Sequence, residues 1–309
     1  MSVGDFDLTM SVPVLSVTFL GVTCFLSLTV PLLAVLLFRT RLRSSFQALF
    51  YGIADSLALE FMLSNVIWML LLMIPFLRAN TAVYIVLALI LGCSLFEIGR
   101  HLLIGTLKKN QIPFSGLFLF ATGISGLNSI LRIMVPSFES FVIAITVNDV
   151  GLETLAEEAG ENAVTMLQSL MPMLTCSPAV YLINGLDVFV NLLFHISLTI
   201  LLYAVCQKRI PDYFLPVSIG IRFLYELPGY FYSYGILITN VYLAEGLSVL
   251  IAAAAAYLAY RVATTELPDE LASLSPGTDR TFPNFNANAR KSSIRDNANI
   301  LSGRKADED

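Results

Sequence analysis

The chain has little charge, almost no histidine and few cysteines. Only 13% of its 309 residues are Asp, Glu, Lys or Arg, roughly half the share in an ordinary soluble domain. That excludes a conventional water-soluble globule. Two histidines, His101 and His195, are too few for a histidine-rich zinc centre, which wants three N, O or S ligands and an open position. Cys24, Cys93, Cys176 and Cys206 follow no metal spacing, and three lie within apolar runs, which argues against a disulfide framework. No basic region precedes the first apolar run, and that run exceeds a signal h-region, so no cleaved leader is expected. The net charge of −5 comes mostly from residues 149–161 and argues against nucleic acid as a partner.

What is present is apolar sequence: 56% hydrophobic residues and a mean hydropathy of +0.76. Seven stretches, about 12–38, 47–77, 82–107, 114–146, 179–206, 213–236 and 238–260, approach or exceed the roughly 20 residues that span a bilayer. The expected fold is all-α, a polytopic seven-helix transmembrane bundle. Arg39, Arg41 and Arg43 follow the first stretch, Lys108 and Lys109 the third, Lys208 and Arg209 the fifth, and Arg261 the seventh, whereas alternate connections carry little positive charge. Positive-inside asymmetry then sets the N-terminus outside and the C-terminus in the cytosol. The membrane domain covers 12–262, after a short extracytoplasmic segment, 1–11. Within it, the loop 148–177 reads as an amphipathic outer helix, with Val150, Leu152, Leu155, Val164, Leu167 and Leu170 at helical spacing. Residues 263–309, rich in Ser, Asn, Asp and Pro, read as a disordered cytosolic tail with phosphate-accepting candidates Ser292, Ser293 and Ser302.

Against this background, polar residues inside the spans stand out. Glu97 and Arg100 lie three apart in the middle of the third stretch. A charge at the centre of a membrane helix costs about 2.5–3.5 kcal/mol on insertion scales, so it suggests function. A self-neutralising pair that joins helices is the competing reading. Further groups are Asp55 and Glu60 in the second stretch and Asn128, Arg132 and Glu139 in the fourth. Asp187, Asn191 and His195 follow in the fifth, Arg222 and Glu226 in the sixth, and Glu245 in the seventh. Counting at 1.5 Å per residue puts Glu97, His195 and Arg222 each roughly 14–17 Å from the inner surface. Three helices therefore bring ionisable groups to one depth, where mixed signs can neutralise one another. Gly123, Ser125, Gly126 and Ser129 would let another helix approach closely, and Pro216 and Pro228 would kink the sixth span.

With these residues assembled, the chain resembles the YhfC-like membrane peptidases. Their wider clan holds PrsW-type and CAAX-type intramembrane proteases and the non-catalytic Aph-type subunit of γ-secretase. The likeness covers most of 20–235 and is best from Gly185 to Val205. The family's first motif, two Glu and an Arg two residues on, falls on Phe96-Glu97-Ile98-Gly99-Arg100, with Phe96 replacing the first Glu. Its Gly-rich His motif falls on Gly123 to Asn128, with Ile124 in place of His and Asn128 in place of Glu. The fifth-span His matches His195, and the sixth-span His with its acid falls on Arg222 and Glu226. Aph-type subunits resemble this pattern of loss, although they keep a sixth-span His.

The resemblance implies an integral, multi-pass membrane protein, a pseudoenzyme acting as scaffold or subunit of a membrane protease complex. Glu97, Arg100, His195 and Glu226 are then motif-retained residues with a structural role. Asn128, Asp187, Arg222, Gly123 and Gly126 are candidates for contact with partner or substrate helices. No metal ligand set and no cofactor are expected, zinc being the alternative to test. The partners expected are the lipid bilayer and transmembrane helices. Two other readings stand beside this one: an atypical active protease, and a seven-helix receptor or transporter. Which membrane holds the chain is not written in the sequence.

Overall fold

A computed structural model describes residues 6–110 and 112–274. The tail serines Ser292, Ser293 and Ser302 and most of the predicted disordered tail lie outside the described residues. Among those described there is no strand. The long helices are α1 (Val14–Arg41), α2 (Phe46–Leu72), α3 (Thr81–Lys109) and α4 (Gly116–Val150). Two shorter ones, α5 (Leu152–Ala159) and α6 (Ala163–Thr175), fill the loop before α7 (Ala179–Cys206), α8 (Phe214–Ser233) and α9 (Val241–Glu266).

Local chemistry sets the ends of these helices. Pro13, which has no N–H to lose, stands just before α1, and Arg39 and Arg41 lie in its last turn, where cations suit the helix dipole. Ser45 accepts from the Gln47 amide at the start of α2, and Asn240 caps α9 through Tyr242 and Leu243. The second span ends at Leu72, short of its predicted limit at 77, because Pro75 starts a separate one-turn helix, Pro75–Ala79. At the other end, α9 runs to Glu266 and Pro268–Ala272 forms one further turn, anchored by the fully buried Leu267. The predicted tail boundary at 262 therefore falls inside helix.

Six helices, α1, α2, α3, α4, α7 and α9, are long and apolar enough to cross a membrane. The expected sixth stretch forms α8, a helix of 20 residues, but its composition does not qualify. The reason is physical: Arg222 and Glu226 lower its hydropathy while facing inward, and α8 packs between α3 and α9.

Helix α7 is the axis of the bundle. It packs against α1, α3, α4, α8 and α9. Phe194, Leu198, Leu201 and Leu202 from α7 meet Phe96 and Ile104 of α3, Phe120 and Ile124 of α4, and Ala252, Ala255 and Ala259 of α9. Small residues let these backbones approach, the normal means of packing where lipid tails remove the hydrophobic drive. Between α2 and α4 the backbones touch: a Cβ at Gly52 would run into the Phe120 carbonyl oxygen, and one at Gly123 into that of Leu49. Gly126 faces Pro31 of α1.

The 148–177 segment divides where glycine permits it. Gly151 and Gly160 have positive φ, and a short 3-10 turn, Gly160–Asn162, separates α5 from α6. Leu152, Ala156, Ala163, Leu167 and Leu170 bury their face against Leu20, Ala144 and Val147 of α1 and α4. Val150 is instead exposed, because the break at Gly151 resets the helical phase after it. Asn148 exchanges two hydrogen bonds with the backbone of Val12, at 2.8 and 3.0 Å, tying the N-terminal approach to α4.

Two long helices are not α-helical throughout. Ser56–Leu63 in α2 and Ser129–Met134 in α4 are π-helical. Hydrogen bonds from i to i+5 bring residues five apart onto one face, and such segments often mark functional sites. Here the widened turn brings Asp55 and Glu60 to a common buried side.

Replacing Gly52 or Gly123 by valine should lower the thermal midpoint in detergent by the equivalent of about 1–3 kcal/mol, the usual cost of overpacking. Gly105→Ala, inside α3 at a position with nothing within 4 Å, should leave it unlowered or raise it slightly.

Candidate functional site

The polar residues of five helices meet in one network inside the bundle. On α3, Arg100 NH1 lies 3.4 Å from Glu97 Oε1, both side chains fully buried. From α8, Arg222 reaches three carboxylates at once: Glu97 Oε1 at 3.4 Å, Glu60 Oε1 at 3.3 Å and Glu226 Oε1 at 2.8 Å. Glu60 of α2 also accepts from Asn128 and holds Arg132, each at 3.1 Å, so the two π-helical segments are bonded side by side. Ser56 Oγ donates to its second oxygen. The ring of Phe96 lies beneath two of the cations, 3.8 Å from Arg222 and 4.8 Å from Arg100.

His195 joins from α7. Its Nδ1 lies 2.7 Å from Arg100 NH2. Arginine can only donate, so Nδ1 accepts and the neutral ring carries its proton on Nε2. Carboxylates from Glu60, Glu97 and Glu226 face guanidinium groups from Arg100, Arg132 and Arg222. This balance is what a low-dielectric interior demands, because an unpaired ion there costs several kcal/mol. Asp55, fully buried, lies at the same level with neither oxygen hydrogen-bonded.

The structure therefore brings together Glu97, Arg100, His195, Glu226, Asn128 and Arg222. Asp187 stands apart in a cleft beside the network and forms no ion pair among the described residues. Gly123 and Gly126 are taken up in packing against this chain's own α2 and α1, and Asn128 is committed to Glu60. Those three positions are thus occupied within the chain and do not present a face to a partner helix. His101 lies outside the network, with Cys206 Sγ 3.3 Å from its Nδ1. Glu60 and Arg132 are central residues that the sequence motifs did not single out. Their only signal was being ionisable within an apolar run.

Whether these residues could hold a metal is a question of donors. Among the described residues no three of His, Cys, Asp or Glu converge to hold an ion. His195 has given Nδ1 to Arg100 and carries hydrogen on its other nitrogen. Ile124 is buried among hydrophobic side chains, and the three carboxylates are spread around a guanidinium rather than gathered on a smaller sphere. A zinc centre does not fit this donor set.

Fold and site together define an all-helical, multi-pass integral membrane protein with its ionic groups gathered inside the bundle. The chain belongs to the YhfC intramembrane metalloprotease family, which matches residues 26–248. No curated protein and no solved structure matches it. The family's name and this chain's donor set therefore point in different directions.

Arg222→Ala should destabilise the protein by about 3–5 kcal/mol, the cost of breaking a buried ion pair. Arg222→Met combined with Glu226→Gln should cost less than the two single changes added together. Thermal unfolding of the four variants in detergent checks both statements.

Proposed function

We propose that this chain is a non-hydrolysing member of its family that serves as a scaffold or subunit holding the transmembrane helices of other proteins. One observation carries the reading. Arg222, fixed by three carboxylates and stacked on Phe96, occupies the ground where the family motif would supply a histidine. Water activation needs a free base or a metal with an open position. In this network Nδ1 of His195 and one oxygen each of Glu60, Glu97 and Glu226 are engaged by guanidinium groups. The network is instead a rigid ionic core. Partner helices would meet the outward apolar faces of the bundle, since Asn128, Gly123 and Gly126 are used internally. The sequence resemblance to Aph-type subunits, which share the loss in the first and Gly-rich motifs but keep a sixth-span His, supports the same role.

The arrangement in the membrane follows from α8. At 1.5 Å per residue its 20 residues measure about 30 Å, the thickness of the hydrocarbon core. Its charged side is covered by α2 and α3, so it serves as a seventh crossing with its polar face inward. Seven crossings and the basic connections give an outside N-terminus and a cytosolic C-terminus. A fluorescent protein fused after Asp309 should fluoresce in the cytosol, and an N-terminal fusion exported to the other side should not.

The test of the non-hydrolysing reading is direct. Purified protein, with and without added zinc, should leave a transmembrane peptide intact and contain no stoichiometric metal by elemental analysis. Metal-dependent cleavage that disappears in Glu97→Ala would overturn the reading and favour an atypical protease.

A further inference from the structure

Three adjoining cavities of about 400, 290 and 130 Å³ open beside the ion network, and Arg132 and Asp187 line all of them. The largest also takes in Tyr225 and Tyr230 of α8 and Glu245 of α9. The smallest reaches inward to Asn191 and His195. Asp187, Asn191 and His195 follow at four-residue steps, so one face of α7 carries a polar line from the cleft to the ionic core.

The charges here are arranged differently from those in the core. Asp187 and Glu245 form no ion pair or hydrogen bond among the described residues. Arg132 has its single ion pair with Glu60, and its side chain remains 38% exposed to the same space. Opposite charges thus face one cleft without closing on each other, which leaves room for a dipolar occupant between them.

Asn191 is an independent sign. It is only 5% exposed, it lines the inner cavity, and its carboxamide bonds to nothing else in the described chain. On the same inner wall Asn128, Arg222 and Glu226 are engaged in the core. Asn191 is free for a ligand.

We propose that this cleft binds a zwitterion with a primary ammonium a few bonds from an anionic oxygen group, the chemistry of ethanolamine phosphate. The ammonium sits between Asp187 and Glu245, beside the rings of Tyr225 and Tyr230, where cation–π attraction adds to charge. The anionic end meets the Arg132 guanidinium, suited to forked bonds with phosphate oxygens, and the Asn191 amide. The largest cavity is within the usual range of small-molecule sites, roughly 300–1,000 Å³. Such a group can come from a phosphatidylethanolamine head group or from a free small molecule. The site stands or falls independently of the non-hydrolysing reading.

Trp68, the single tryptophan, stacks on Tyr230 with ring centroids 5.1 Å apart, so its emission reports on the cleft. The full chain in phosphatidylcholine nanodiscs is titrated with phosphoethanolamine, with ethanolamine and with inorganic phosphate. It is then compared in nanodiscs containing phosphatidylethanolamine. The expected result is a saturable change with the zwitterion at an affinity about tenfold or more above either half alone. Asp187→Asn and Glu245→Gln should each weaken it about tenfold, with thermal unfolding in phosphatidylcholine unchanged. A response to the free compound alone assigns a soluble ligand, and one to the lipid alone assigns the head group. Silence to both sources, or an undiminished response in both variants, overturns the site.

Discussion

Taking a guanidinium group out of water is the constraint around which this bundle is built. At the depth of Arg222 the surroundings are side chains and, beyond them, lipid, so the desolvation cost must be met by the protein itself. One carboxylate would balance the charge but leave most of the guanidinium's donors unmet. The structure surrounds Arg222 with Glu60, Glu97 and Glu226 from three different helices and gives its face to the Phe96 ring. Each of those acids in turn must not be left in excess, and Arg100 and Arg132 restore the balance. Removing any one member leaves another charge buried without its counterpart, so the network acts as a unit.

Helix geometry follows from that requirement. A regular α-helix would place Asp55 and Glu60 well apart around the α2 axis, and the π-helical turn brings them to one side. Its counterpart in α4 lies beside Arg132, so both irregular turns are joined through the same Glu60 oxygen. The close approach at Gly52 and Gly123 holds α2 near enough to α4 for those bonds to form. Backbone irregularity inside a membrane is tolerated only where protein rather than lipid covers it. These two turns meet that condition by facing the ionic core.

The sequence made the layered part of this structure legible and the converging part less so. Apolar runs mark all seven long helices, and six of them have the length and composition of a crossing because lipid exposure imposes apolarity on their outer faces. The run at α8 falls short on composition because its inward charges lower its hydropathy. Counting residues from the basic ends placed Glu97, His195 and Arg222 at one depth, and the ionic chain through Arg100 joins them. Counting cannot give rotation about each axis, so the roles of Glu60 and Arg132 stayed hidden, as did the use of Gly123 and Gly126 inside the chain. The π-helical turns had no sequence signal of their own. They arise because bonds to distant helices outweigh local backbone preference, and that preference is all a short window of sequence reports.

The family name and the donor set are reconciled by the difference between a covalent cation and an exchangeable one. A metal ion stabilises converging carboxylates while leaving a coordination position open, and that position is where chemistry would occur. A guanidinium supplies the same positive charge through directed N–H bonds and has no open position. Arginine at 222 therefore preserves the electrostatic reason for the acids to face inward and offers no open coordination position, which is the ground of the proposed non-hydrolysing reading. With Arg222 in place the acids are held by directed bonds, and Glu60 Oε1, shared by Asn128, Arg132 and Arg222, is the oxygen with the most partners.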